Sequence, residues 1–367
     1  MLRSAAAIAI FTLIACALCT GGCSSGSDMP DTLRLTGIVI AQDEAFKSPY
    51  GIVASDSRIY VRNSGTTAML IDEFDSDGNY VRSFLPQGSG EGAMPYLDAI
   101  RYDETNSRLV VEAAPMYGAL RVIEHLDTDK PRLNTVFTLP NRIVDSPADS
   151  VIPAHIIRLV NGAIITPNLT PAGMLAIYDN TGKFKRIVQP YPPKEKLGSD
   201  VPDYALANFF QMKGAASPDG KHFAAASTLG DIISFGTIDG DSVKIITNVG
   251  EPQEGIEISK EDGNFATFSY TDKLRYFFPS GITLSNKSVY AIEGGYANEF
   301  TDRRKKMTEG EADPLTRIRV YDYEGKIKRV LEINVGRCII AVTPDDSTLY
   351  VLGENNENGY QLFRFEL

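Results

Sequence analysis

Histidines, cysteines and clustered carboxylates are the side chains that most often carry chemistry. This 367-residue chain has only three histidines, His125, His155 and His222, far apart and without HxxxH spacing. Three of its four cysteines fall within the first 23 residues, so a zinc site in the body has no sequence support. The densest group of reactive residue types is Ser217-Pro218-Asp219-Gly220-Lys221-His222. Pro218 and Gly220 suit a tight turn there, and Asp219 is placed to bond its own backbone, which makes His222 the first residue of the following apolar run and a structural one. Asp75-Ser76-Asp77-Gly78-Asn79 invites comparison with a calcium loop. Its glycine comes too early, and the twelfth position is Pro86 or Gly88 instead of a bidentate Glu, so a hairpin turn is expected. The glycine-rich GSGEG at 88–92 lacks the Lys-Ser/Thr and the helix of a phosphate-binding loop, and no GxSxG elbow occurs in the body. The basic run DRRKKM at 302–307 is flanked by acidic residues and reads as a solvated loop. Cys338 lies in the apolar run GRCIIAVT and reads as a buried thiol. No metal or cofactor follows from these residues.

Charge and leader narrow the partners. Lys and Arg number 36 against 47 Asp and Glu, a net charge of −11 with no basic stripe, which argues against nucleic acid. The first 22 residues have one early cation (Arg3), an apolar run from Ala5 to about Leu18 and then small residues, the organisation of an export signal too short to span a membrane. The cysteines here resemble those of a bacterial lipoprotein signal. Cys23 is preferred as the lipidated residue because a hydrophilic tether, 23–31, follows it; Cys16, after Leu13-Ile14-Ala15, is the alternative. Beyond the leader only Cys338 remains, so no disulfide can form within the body. The expectation is a lipid-anchored, exported outer-membrane protein, periplasmic or surface-exposed.

Residues 32–367 are expected to form a single domain that is all-β. The body shows short apolar or alternating runs separated by Gly, Asn, Asp and Pro, and it lacks long helical periodicity. Two components recur. One is an inner strand, polar turn and second strand, at 51–63, 99–113, 156–168, 214–227, 281–294 and 341–353. The other is a strand–turn–strand with Asp and Gly in the turn, at 69–84, 175–188, 233–246 and 318–333, with looser copies at 119–137 and 360–367. Six units of roughly 56 residues fall in the range of propeller blades. The expected fold is a six-bladed β-propeller with four-stranded antiparallel blades. Only one clear strand follows Val351, so the run TLRLTGIVI at 32–40 is expected to complete the last blade and close the ring. Splitting 189–213 or 247–280 would give seven or eight blades.

SPDGKHF and the looser TPDDSTLYV are similar to the TolB-type propeller repeat, and FDSDGNYVRSFLPQGSGEG is similar to segments of NHL-type propellers. With the lipoprotein signal, the chain resembles the TolB-like six-bladed propeller lipoproteins of Bacteroides and relatives over most of its length after residue 45. That resemblance implies a fold and transfers no catalytic residues. Sialidase propellers carry S-x-D-x-G-x-T-W boxes; here the glycine is one residue early and tryptophan is absent. Three Asp-Ser/Thr-apolar triplets, at Asp31, Asp149 and Asp241, resemble an O-glycosylation signal of Bacteroides-type proteins.

In a propeller the residues leading into each innermost strand crowd one mouth of the central channel. Aligning the six units places Tyr50, Tyr96 or Asp98, His155, Lys213, Tyr276 or Phe278, and Arg337 at that rim. Their aromatic, cationic and hydrogen-bonding groups suit a ligand-binding mouth. The functional expectation is a non-catalytic binding or scaffold protein for a glycan, peptide or envelope partner. The alternative is a propeller hydrolase or lyase with a carboxylate or metal site in the channel.

Overall fold

The computed structural model describes residues 30–42, 45–64, 67–112, 119–138, 152–153, 158–160, 163–170, 173–179, 184–191, 210, 212–227, 232–240, 242–250, 256–261, 265–270, 282–294, 315–354 and 359–367. The leader with Cys16 and Cys23, most of the tether, His155, Tyr276, Phe278 and the 302–307 basic run lie outside the described residues. Among the described residues, no helix is long and apolar enough to cross a membrane.

The chain is all-β, a propeller built of four-stranded antiparallel blades. Strands β1 (Thr32–Leu35) and β2 (Ile38–Gln42) precede the first blade, which is formed by β3 (Pro49–Ala54), β4 (Arg58–Asn63), β5 (Met69–Asp75) and β6 (Tyr80–Pro86). The second comprises β7 (Ala99–Asp103), β8 (Arg108–Glu112), β9 (Ala119–Glu124) and β10 (Arg132–Thr138). Next comes a sheet of β11 (Ile152–Pro153), β12 (Arg158–Val160), β13 (Ala163–Thr170), β14 (Gly173–Asp179) and β15 (Phe184–Gln189). It is followed by the blade β16 (Met212–Ala216), β17 (His222–Ser227), β18 (Ile233–Asp239) and β19 (Ser242–Val249). A separate hairpin, β20 (Ile256–Glu261) and β21 (Phe265–Tyr270), was not anticipated from sequence. The blade β22 (Ile282–Leu284), β23 (Val289–Ile292), β24 (Thr316–Tyr321) and β25 (Ile327–Ile333) follows, and β26 (Cys338–Val342), β27 (Thr348–Glu354) and β28 (Tyr360–Glu366) end the chain.

Two expectations need correction. Five sheets, not six, follow the regular blade plan among the described residues. In the sheet β11–β15, both β11 and the three-residue β12 pair with β13, where a single inner strand was expected. Pro153 and Pro167 lie in these strands and donate no ladder hydrogen bond, and the β13–β14 register shifts between Pro167 and Thr170. The run at 32–40 also does not form one outer strand. It divides at Gly37: β1 lies parallel to β25, whereas β2 lies antiparallel to β28, beside the last three strands of the chain. Gly37 suits the crossing because a Cβ there would sit 2.5 Å from the Phe365 ring.

The core lies between blades. Val53, Tyr60, Leu70 and Phe84 of the first blade pack against Leu109, Val111 and Ile123 of the second. Ala224, Ala226 and Phe235 meet Val289, Ala291 and Tyr321 in the same way, and Ile318, Leu331 and Ile333 meet Ile340, Leu349 and Phe365. A fourth cluster joins Ile59, Val61 and Phe74 of the first blade to Ala341, Tyr350 and Leu362 of the last. The sheets are thus held together by apolar side chains that face a neighbouring blade. The innermost strands β7, β3, β26, β22 and β16 follow one another around the centre, each in contact with the next.

Two turn chemistries repeat. A hydroxyl residue closes each of four innermost strands: Ser217 Oγ accepts from the His222 N–H at 3.0 Å and donates to Asp219 Oδ1 at 2.6 Å, and Thr343 does the same with Thr348 N–H and Asp345 Oδ1 at 3.0 and 2.6 Å. Ser55 and Ser285 accept from Arg58 and Ser288 N–H at 3.0 and 2.9 Å. In the outer hairpins, Asp75 Oδ1 accepts from the N–H of Asp77 and Asn79, and Asp322 Oδ1 from those of Glu324 and Lys326. The third residue after each Asp is a glycine at positive φ, Gly78 at 85° and Gly325 at 83°. The DSDGN stretch is therefore a hairpin turn.

Candidate functional site: the central channel

The innermost strands run in the same direction around a central cavity of about 730 Å³. Their first residues stand at one mouth and their turns at the other end. At the mouth, Tyr50, Asp98, Lys213 and Arg337 all line the cavity. The rim alignment thus brings four of its candidates to one place. Tyr96 is a partial exception: it is 36% exposed and is not part of the lining, but it stands close enough to favour the charged form of Arg62.

Among the lining residues that were not anticipated are Arg62, Arg101, Glu354 and Tyr360. They sit on strands β4, β7, β27 and β28, away from the strand-start positions from which the rim was read. Arg62 is the most constrained. Its guanidinium donates to the carbonyls of Leu97 at 2.9 Å and Tyr50 at 2.8 Å, and it lies 4.5 Å from the centre of the Tyr50 ring. Burial pulls its pKa down, while Asp98, Tyr96 and Tyr50 favour the charged form. An arginine in the otherwise apolar IYVRN was the available sequence signal. Arg101 is paired with the buried Glu112 and reaches the Gly214 carbonyl at 3.5 Å. Arg337 pairs with Glu354, at the end of the adjacent strand of the same blade, at 3.3 Å.

Lys213 differs from these. Its ammonium makes no hydrogen bond or ion pair with any described residue. Its surface is accessible, yet the surrounding channel wall displaces much of its hydration and lowers the pKa of its ammonium; Asp98 opposes that shift and Arg62 adds to it. Tyr50 is 59% exposed at the same mouth, with the Arg62 guanidinium over its ring.

The far end is bridged. Asn286, in the β22–β23 turn, accepts from Asp219 N–H at 2.8 Å and donates through its side chain to Glu104 Oε2 at 2.8 Å. Its backbone N–H donates to the Pro344 carbonyl at 2.9 Å. Glu104 follows β7, which is separated from β22 around the ring by β3 and β26, so these bonds tie turns from different sides of the channel. This end carries Asp56, Glu104, Asp219 and Asp345, and burial together with Asp345 and Glu104 raises the Asp56 pKa. Among the described residues no three His, Cys, Asp or Glu side chains are placed to hold a metal ion.

His222 and Cys338 are packed as structural residues. His222 opens β17 and stacks on Tyr323 with ring centres 4.1 Å apart and planes 15° from parallel. Cys338 is buried between the last two blades, and burial pushes its thiol up to about 12, so it is protonated and unreactive at neutral pH.

Fold and site together define a β-propeller with a cavity open at a polar, aromatic-rimmed mouth. No protein-family model matches the chain, and no curated protein does. Among solved structures, the chain is similar to a member of the DUF4221 family from Bacteroides vulgatus, with a TM-score of 0.52 and 12% identity, over 90% of this chain and 98% of that one. It is also similar to a protein described as exported from Bacteroides fragilis, with a TM-score of 0.52 and 10% identity, over 92% of this chain and 99% of that one. At such identities the likeness is one of fold.

Proposed function

We propose that this chain is an exported binding module, a TolB-like, NHL-related propeller that presents its channel mouth to a glycan, peptide or envelope partner without turning it over. The observation that carries this reading is the cavity of about 730 Å³, rimmed by the exposed Tyr50 ring and by Asp98, Lys213 and Arg337. In the full reading there are six blades. The irregular sheet β11–β15 takes the third place, and the pairing of β2 with β28 completes the last blade and closes the ring. Export, with lipidation at Cys23 (or Cys16) and residence in the outer membrane, rests on the leader sequence and is supported by the description of the Bacteroides fragilis relative in fold as exported.

An array of glycans and peptides titrated against the purified protein tests the reading. Saturable, stoichiometric binding is expected, weakened about tenfold or more by Tyr50→Ala if the ring is an anchor of the interface. The bound compound should be recovered chemically unchanged. Catalytic release of a product from any bound compound would establish the hydrolase or lyase alternative instead.

A further inference from the structure

We infer that the channel takes a carboxylate-bearing ligand, whose anionic group is held at the open mouth by Lys213 beside Arg62 and Arg337. The inference rests on the binding-module reading and adds the ligand's chemical class.

Charge distribution carries the argument. The chain is acidic overall, with a net charge of −11, yet among the described residues the cavity is lined by four cations, Arg62, Arg101, Lys213 and Arg337, against the two carboxylates Asp98 and Glu354. A concave wall of one dominant sign concentrates counter-charged ligands. Three of the cations are already engaged: Arg62 on two carbonyls, Arg101 on Glu112 and Gly214, and Arg337 on Glu354. The Lys213 ammonium alone lacks a hydrogen-bonding partner among the described residues, although its hydration is reduced. An incoming carboxylate would supply that partner through charge-assisted hydrogen bonds. The orientation follows as well. At the far end Asp56, Glu104, Asp219 and Asp345 outnumber Lys221 and Lys287, which sit on Asp219 and Asp345, and the Asn286 bridges obstruct it, so an anion is favoured at the Lys213 mouth. The nearby Asp98 and Glu354 disfavour a dianion, and the exposed Tyr50 ring accommodates the ring or aliphatic part of the ligand.

The test uses the full chain and matched probes, glucuronate against glucose and hexanoate against hexanamide, with binding followed by ligand-observed NMR. Either carboxylate is expected to bind saturably and its neutral counterpart at least about tenfold more weakly. Lys213→Met, which keeps the aliphatic stem and removes the charge, should erase that preference without lowering the melting temperature. Equal binding of each charged and neutral pair, a preference that survives Lys213→Met, or stronger binding of inorganic phosphate than of both carboxylates would overturn the inference, as would the absence of saturable carboxylate binding. Neutral ligands that bind the native protein as tightly as their carboxylate counterparts, with both lost in Tyr50→Ala, would overturn the anion assignment and leave the binding module standing.

Discussion

Gly78 shows how a residue without a side chain joins two blades. Its φ of 85° disfavours any L side chain, and a Cβ there would lie 2.4 Å from the Ile40 carbonyl oxygen of β2. The same turn reaches the last blade through Asp77, which pairs with Arg364 at 2.9 Å. Gly78→Ala is therefore expected to combine backbone strain of about 1–3 kcal/mol with displacement of β2. Gly92→Ala is the control, because Gly92 also has positive φ, 73°, but nothing lies within 4 Å of its virtual Cβ. Chemical denaturation of the two variants separates the contributions: Gly78→Ala should lose more stability than Gly92→Ala, and equal losses would mean that the contact with Ile40 costs nothing.

At the scale of elements, the weak points are strand edges. β28 would present an unpaired edge if β2 were absent, and Leu362 and Phe363 sit opposite Ala41 and Val39 in that pairing. Truncation through Gln42 should lower the melting temperature and produce concentration-dependent association through the exposed edge, read by light scattering. A truncated protein that remains monodisperse and melts normally would show that β2 is dispensable. The inner-turn hydroxyls act differently: Ser217 and Thr343 each satisfy backbone groups within their own turn, so they define strand ends and leave pairing between sheets to the apolar clusters.

Across the whole molecule the channel is electrically polar, with cations at the mouth and carboxylates at the bridged end. Asp56 belongs to that acidic end, and burial with its neighbours Asp345 and Glu104 raises its pKa. A carboxyl group with a folded pKa above its unfolded value binds more protons in the folded state, so its ionisation at neutral pH opposes folding and the penalty fades as pH falls. Asp56→Asn should thus raise the melting temperature at pH 7. The gain should shrink as pH falls through the raised folded-state pKa and be gone below the ordinary aspartate pKa of about 4. A gain that persists unchanged at acid pH would assign the effect to packing instead of charge. Asp56 is exposed, and salt should diminish the shift.

The sequence by itself determined the local grammar of this protein. SPDGKH and TPDD announced inner turns, DSDGN and YDYEGK announced outer hairpins, and the apolar runs between them marked the strands, because hydrogen bonds and φ preferences within a few residues decide these features. It also located Tyr50, Asp98, Lys213 and Arg337 at one mouth, since strands of equal direction in repeated units bring equivalent positions together. Only the tertiary structure decided that 32–40 divides between two sheets at Gly37, that Arg62 and Arg101 enter the channel, that the Lys213 ammonium has no partner among the described residues while its neighbours are engaged, and that Asn286 bridges the far end. Each of these depends on which residues distant in sequence become neighbours, and that is settled by packing between blades and the closing of distant turns over a shared cavity.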